Sequence, residues 1–212
     1  MNRFRIWMIV PLGILAAFVW FLLPRPGGAD IEAITAEISP TTPVTSSSSE
    51  RKLFDPISGW KERITKKEFG KYVNPQDSPV SPEKFTGYHT AVDIEYADTT
   101  SDVPVFAIAD GEVLVSRFAT GYGGVVMISH TIDGRELFVV YGHLRVSSMP
   151  AVGKKVSASE QIGLLGTEYS TETDGERRHL HFGVAVKNSL LGYVPNTADL
   201  AAGWIDPLTL YK

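Results

Sequence analysis

The sequence predicts an all-β domain, a compact antiparallel β-sandwich or open barrel, preceded by an N-terminal transmembrane helix and a flexible linker. Three observations lead there. After Leu23, short apolar runs alternate with turn residues about every ten positions. No long 3.6-residue apolar period appears in that stretch. Ahead of it, Ile6 to Leu23 is an uncharged run of 18 residues.

The N-terminal run as a helix is about 27 Å long at 1.5 Å per residue, enough to cross a bilayer core. Arg3 and Arg5 precede it and a single Arg25 follows. The positive-inside rule then keeps the N-terminus in the cytoplasm and exports the rest. Trp20 and Phe21 sit where an interfacial belt would, and Pro11 is tolerable in a membrane helix. A cleaved signal peptide is the other reading, with "GGA" before Asp30 as the cleavage site. The run is longer than a usual signal core, which favours an uncleaved, single-pass anchor in the cytoplasmic membrane over residues 1–26. Residues 27–50 hold a Ser run and Thr-Pro clusters without aromatics, and read as a flexible linker. In 51–84, "LFDPISGW" and "KKEFGKYVNPQDSPV" bring aromatics and turn signals, an extended arm packing on the domain at 85–212.

Within that domain "VPVFAIADGEVLVSRF" contains two apolar runs, and Asp110-Gly111 between them predicts a hairpin. "GGVVMISH" and "ELFVVYGHL" are strands on either side of a second turn, Asp133-Gly134. "QIGLLGT" and "HLHFGVAV" follow the same style.

Composition narrows the chemistry. A net charge of −4 with no concentrated basic run argues against nucleic acid as a partner. The chain has no cysteine, which excludes disulfides, a thiol nucleophile and thiolate metal ligands. Any zinc site must be built from His, Asp or Glu.

The chain has five histidines. His89 and Asp93 stand four apart in "GYHTAVD", a pair of good metal ligands at a spacing that also arises by chance. His179 and His181 stand two apart in a strand, so both imidazoles project to one face, and Leu180 turns into the core. Two adjacent buried imidazoles both need partners. A shared polar site satisfies them more readily than a core pair does. His143 in "YGHL" closes a strand and is compatible with a surface position or a site. His130 in "ISHT" precedes a turn and is given no catalytic role.

"GYHTAVD", "YGHL" and "HLHF", in that order and at those separations, resemble the lysostaphin/LytM-type zinc metallopeptidases. The resemblance runs from about Phe69 through "WIDPL", and "GYGGVVMISH" and "VGKKVSASEQIGLLG" resemble the strand and turn texts of that family. It implies a compact β-domain with a long groove, one Zn2+ at its floor and endopeptidase activity on peptidoglycan peptides. Carried over by position, His89, Asp93 and His181 are the implied zinc ligands, with His179 and His143 as the catalytic pair. His179 is then chiefly the base and His143 chiefly the oxyanion support. The expected protein is a membrane-anchored zinc endopeptidase whose domain lies outside the cytoplasm, on the periplasmic or wall side. The alternative is a non-catalytic domain of the same type that binds wall or activates another hydrolase. A regulatory protein partner is compatible with either reading.

Departures from the family pattern touch neighbours of these positions. Ala91 stands where Gly is usual, and Gly183 replaces the acid after "HLHF". Ser159 and Glu160 replace a Gly-Gln, and "TEYSTETDGERR" is longer and more acidic than the usual Gly-rich loop. Rim loops of this kind shape substrate choice.

Overall fold

Strands that carry apolar side chains on both faces must be covered on both faces. The two ten-residue strands of this protein are of that kind. The computed structural model describes residues 53–212. The expected anchor at 1–26, the linker at 27–50 and the first two residues of the arm lie outside the described residues. Among the described residues no helix is long and apolar enough to cross a membrane.

In chain order the strands are β1 (Tyr72–Val73), β2 (Gly87–His89), β3 (Ala91–Glu95), β4 (Pro104–Phe106), β5 (Gly111–Ala119) and β6 (Gly123–Ile132). They continue with β7 (Arg135–Leu144), β8 (Lys155–Val156), β9 (Gln161–Leu164), β10 (His179–Ala185), β11 (Tyr193–Val194) and β12 (Trp204–Ile205). Two short helices, α1 (Thr197–Gly203) and α2 (Pro207–Leu210), close the chain. Asn196 and Asp206 cap them by accepting from Asp199 N–H and Leu208 N–H. At seven and four residues they are too short for an apolar period to show in the sequence.

The main sheet runs β12-β10-β7-β6-β5-β8, and β3 also pairs with β10. All its pairs are antiparallel. A three-stranded sheet, β1-β2-β11, and a two-stranded one, β4-β9, stand apart from it. Alternation along the central strands splits the core in two. Val126, Ile128, Val139, Tyr141, Leu180, Phe182 and Val184 enter one cluster, while Val125, Met127, Val140 and Ala185 enter the other. Ile57 and Trp60, from the segment before β1, complete the first cluster. Trp60 sets its ring edge-on to Phe182 at 5.8 Å.

One expected hairpin forms and the other does not. Asp133 and Gly134 both have positive φ, 51° and 72°, and join Ile132 to Arg135 across the β6–β7 pair. That is the mirror-image two-residue turn that suits the twist of paired strands. Asp110-Gly111 joins no hairpin, because β4 pairs with β9 and β5 with β6 and β8. Gly111 serves close approach instead. A Cβ there would meet the Ser129 carbonyl oxygen at 2.4 Å and His130 Nδ1 at 2.6 Å. Asp110 accepts from Ala158 N–H at 2.7 Å, stitching β5 to the turn before β9.

Candidate functional site

The alternation that buries Leu180 and Phe182 in the first cluster sends His179 and His181 to the opposite face of β10. On β3 the same logic buries Val92 and Ile94 and sends Asp93 and Glu95 the other way. Register then aligns the two sets. His181 stands opposite Asp93, and His179 stands opposite Glu95. On its other edge His181 faces Gly142 of β7. Gly142 is required there, since a Cβ would lie 2.5 Å from the Tyr122 ring.

His143 enters by a β-bulge. Gly124 of β6 faces Leu144, but Val125 faces Gly142, so His143 is the extra residue of β7. Its φ of 64° lies in the left-handed region, unusual for a residue with a side chain. The bulge re-aims one side chain at the end of a regular strand. His143 and His179 meet with ring centroids 4.2 Å apart. His89 ends β2, and its backbone N–H donates to the Lys71 carbonyl at 2.9 Å.

His89, Asp93 and His181 thus converge, all buried. His89 Nε2 lies 3.3 Å from Asp93 Oδ1 and 3.3 Å from His181 Nδ1, and His181 Nδ1 lies 3.3 Å from Asp93 Oδ1. The three atoms make an equilateral triangle. Corners of a tetrahedron with bonds of about 2.0–2.1 Å, the range of zinc with nitrogen and oxygen, are about 3.3–3.4 Å apart. Asp93 Oδ1 is buried and accepts no hydrogen bond. An ionised oxygen in that condition is costly unless a cation meets it. The residues present therefore fit a tetrahedral divalent metal.

Carbonyl groups set the imidazole tautomers, because a carbonyl only accepts. His89 Nδ1–H donates to the Glu68 carbonyl at 3.2 Å and leaves Nε2 in the triangle. His181 presents Nδ1 to the triangle and Nε2 to the Tyr122 hydroxyl at 3.4 Å. His179 Nδ1–H donates to the Arg177 carbonyl at 2.9 Å, and His143 Nδ1–H to the Thr173 carbonyl at 3.3 Å. Each of these two rings keeps an unprotonated Nε2.

Burial, reinforced by His181, pushes His143 down to about 3. Burial also holds His179 well below the ordinary imidazole value, Asp93 opposing and His143 adding to the effect. Burial opposes ionisation of Asp93, yet His179, His89 and Arg177 together hold its carboxyl well below the usual range. Asp93 is thus the anion of the cluster, beside the His143 and His179 rings that burial keeps neutral. These three line a cleft of about 250 Å³ with Tyr122, Tyr193 and Phe85.

Of the five residues singled out in the sequence, Asp93, His143, His179 and His181 line this cleft, and His89 is fully buried behind them, 3.3 Å from Asp93 Oδ1. His130 lies elsewhere, buried in β6 with Nδ1–H donating to the Asp110 carbonyl at 2.9 Å. Sequence reasoning missed Arg177, Glu95, Glu68 and Tyr122. A signal existed for Arg177 and Glu95. Arg177 continues the two-residue spacing of His179 and His181, and Glu95 continues that of Asp93. Glu68 acts through its carbonyl and has no side-chain signature.

The model of peptidase family M23 matches residues 87–192, half of the chain. No curated protein matches it. Among solved structures, one from the SpoIIQ–SpoIIIAH pore-forming complex is 23% identical with a TM-score of 0.51, covering 76% of this chain and 92% of that one. That likeness is one of fold. Lysostaphin is 27% identical with a TM-score of 0.46, covering 74% of this chain and 54% of its own. Csd3 of Helicobacter pylori is 25% identical with a TM-score of 0.44, covering 74% of this chain and 33% of its own. The chain spans between a third and about half of the length of these last two.

Proposed function

This chain belongs to peptidase family M23, of the LytM type, and from that premise we propose that it is a zinc-dependent endopeptidase hydrolysing peptide cross-links of bacterial peptidoglycan. In this reading residues 1–26 anchor it in the cytoplasmic membrane, 27–50 tether it, and the arm at 51–84 and domain at 85–212 work outside the cytoplasm. The observation that carries the reading is Asp93 Oδ1, buried without a hydrogen bond and 3.3 Å from one nitrogen of each of two imidazoles.

His89, Asp93 and His181 hold the metal. Zinc, when bound, supplies Lewis acidity, which polarises a scissile carbonyl and lowers the pKa of a water from 15.7 to about 7. His179 accepts the proton of the attacking water at Nε2, since its Nδ1–H is committed to Arg177. The proton then passes to the leaving amine nitrogen. His143, 4.2 Å away ring to ring, supports the carbonyl oxygen that gains charge. To donate from Nε2 while neutral, His143 takes the Nε2–H tautomer and gives up its Nδ1–H bond to the Thr173 carbonyl, which at 3.3 Å is long. The proton that His179 takes from water stays free for the leaving amine.

The test uses full-length protein in detergent. Zinc is counted by inductively coupled plasma spectrometry, and peptides released from purified peptidoglycan are identified by mass spectrometry. One zinc per chain is expected, lost in Asp93→Ala and in His181→Ala, with peptide release by the wild type. Full zinc in both variants removes these residues from the metal. Full zinc in the wild type without cleavage of any wall tested favours the non-catalytic, wall-binding or activator role.

A further inference from the structure

Asp93 carries two oxygens in different circumstances. Oδ1 completes the triangle and accepts no hydrogen bond. Oδ2 accepts from Arg177 Nη2 at 2.6 Å. Arg177 is buried and also holds Glu95, with Nε 2.9 Å from Oε1 and 3.0 Å from Oε2. Glu95 is itself buried and stands opposite His179 in the strand register. Its backbone is fixed from the arm, Glu95 N–H donating to the Arg63 carbonyl at 3.0 Å.

We propose that Arg177, held by Glu95, is a positioning residue that commits Asp93 Oδ2 and so leaves Oδ1 alone to meet the metal. The inference rests on the metal-site reading given above. A carboxylate can offer a cation one oxygen or both. A rigid, charge-assisted bond to Oδ2 settles which. A lone guanidinium beside a metal would also repel it. Glu95 cancels that charge, so the Arg177–Glu95 pair orients Asp93 without adding net charge. The Arg177 carbonyl meanwhile fixes the His179 tautomer. One residue thus steers a metal ligand with its side chain and an imidazole with its backbone. Substituting the side chain separates the two effects, since the carbonyl survives.

The experiment compares wild type, Arg177→Met, Arg177→Lys and the double variant Arg177→Met/Glu95→Gln, each as full-length protein. Zinc affinity is measured by competition with a chromophoric chelator, and ligand geometry by the visible absorption of the Co2+-loaded proteins. Arg177→Met should weaken zinc about 10–100-fold and alter the cobalt spectrum, as loss of an outer partner of a ligand does. Arg177→Lys keeps the charge but not the fork, and should recover only part of both. The double variant removes the Glu95 charge that Arg177→Met would leave without its guanidinium, and serves if Arg177→Met does not fold. It should show the same weakening. Wild-type affinity and cobalt spectrum in a folded Met variant, single or double, overturn the inference while leaving the metal site intact. A wild type that takes up neither metal overturns the site reading itself, and this inference with it.

Discussion

Ala91 and Gly183 face each other directly across the β3–β10 pair. A Cβ on Gly183 would lie 3.3 Å from that of Ala91, 3.5 Å from the Thr90 carbonyl oxygen and 3.5 Å from the Trp204 ring. The two departures from the family pattern beside the site are thus one departure. The methyl group added at 91 occupies space that a side chain at 183 would need, and an acid at 183 would be buried against a carbonyl oxygen.

Coupling between these positions follows. Gly183→Ala puts a Cβ 3.3 Å from that of Ala91, so its effect on stability should depend on the residue at 91. In the Ala91→Gly background the same change should be more favourable, with a coupling of about 0.5–3 kcal/mol. Chemical denaturation of the four proteins measures it. Equal effects in the two backgrounds would show that the methyl groups do not compete.

Lys67 and Glu83 form a buried ion pair at 2.6 Å under the cleft. Lys67 Nζ also donates to the Tyr193 hydroxyl at 2.9 Å, and Ser78 donates to Glu83 at 2.7 Å. Lys67→Met leaves the Glu83 charge without its cation and should cost about 3–5 kcal/mol. Adding Glu83→Gln should return most of it. Burial opposes ionisation of Glu83, but Lys67 and Ser78 lower its pKa below the ordinary 4.5. The pair's stabilisation is therefore present above that value and fades as pH falls through the folded-state pKa. Wild type and double variant should converge in stability in acid. If their difference stays constant from pH 7 to pH 3, the pair is not ionised in the fold.

His130 gives a pH dependence of the same sign, in a higher pH range, at a position away from the site. Burial lowers its pKa below the ordinary 6.5, against the Asp110 carbonyl, and its Nε2 has no partner. The folded state holds the ring neutral, whereas the unfolded chain protonates it below about 6.5. Stability contributed by the neutral ring is present above the unfolded pKa and is lost as pH falls towards the folded one. His130→Gln should therefore lose less stability than wild type between pH 7.5 and pH 5. Parallel losses in the two proteins count against a neutral buried ring.

The central strands were legible because their signal is local. Alternating or continuous apolar runs, a positive-φ pair at Asp133-Gly134 and His residues two apart each reflect neighbours in sequence. Asp110-Gly111 was misread because the demand on Gly111 comes from Ser129 and His130, a close approach set by tertiary packing. The bulge that delivers His143 has no local sign either, since it depends on which residue of β6 each residue of β7 faces. Arg177 and Glu95 were within reach of the period-two argument, and only their mutual pairing needed the folded chain.

The two imidazoles proposed for catalysis, His143 and His179, should be separable from the metal. His179→Ala removes the Nε2 that lies 3.4 Å from Asp93 Oδ2 but no atom of the ligand triangle, so zinc should stay bound. Loss of a general base typically costs 10²–10⁴-fold, about 3–5 kcal/mol of barrier. The loss should fall on kcat, because the cleft and the metal still hold substrate. His143→Ala should also keep zinc and lose kcat, but less, where the metal carries much of the oxyanion charge. It should additionally relax the bulge, since Ala gains nothing from a φ of 64°. His143→Gly tests that separately, as glycine accepts that conformation and removes only the ring. If His143→Gly and His143→Ala lose activity equally, the ring is what matters. If glycine restores activity, the backbone is. His130→Gln, matched for loss of an imidazole but remote from the cleft, should release peptides at the wild-type rate wherever it is folded. The assay is peptide release from purified peptidoglycan with zinc counted for every variant. Equal rates in wild type and His179→Ala at full zinc would remove His179 from the chemistry.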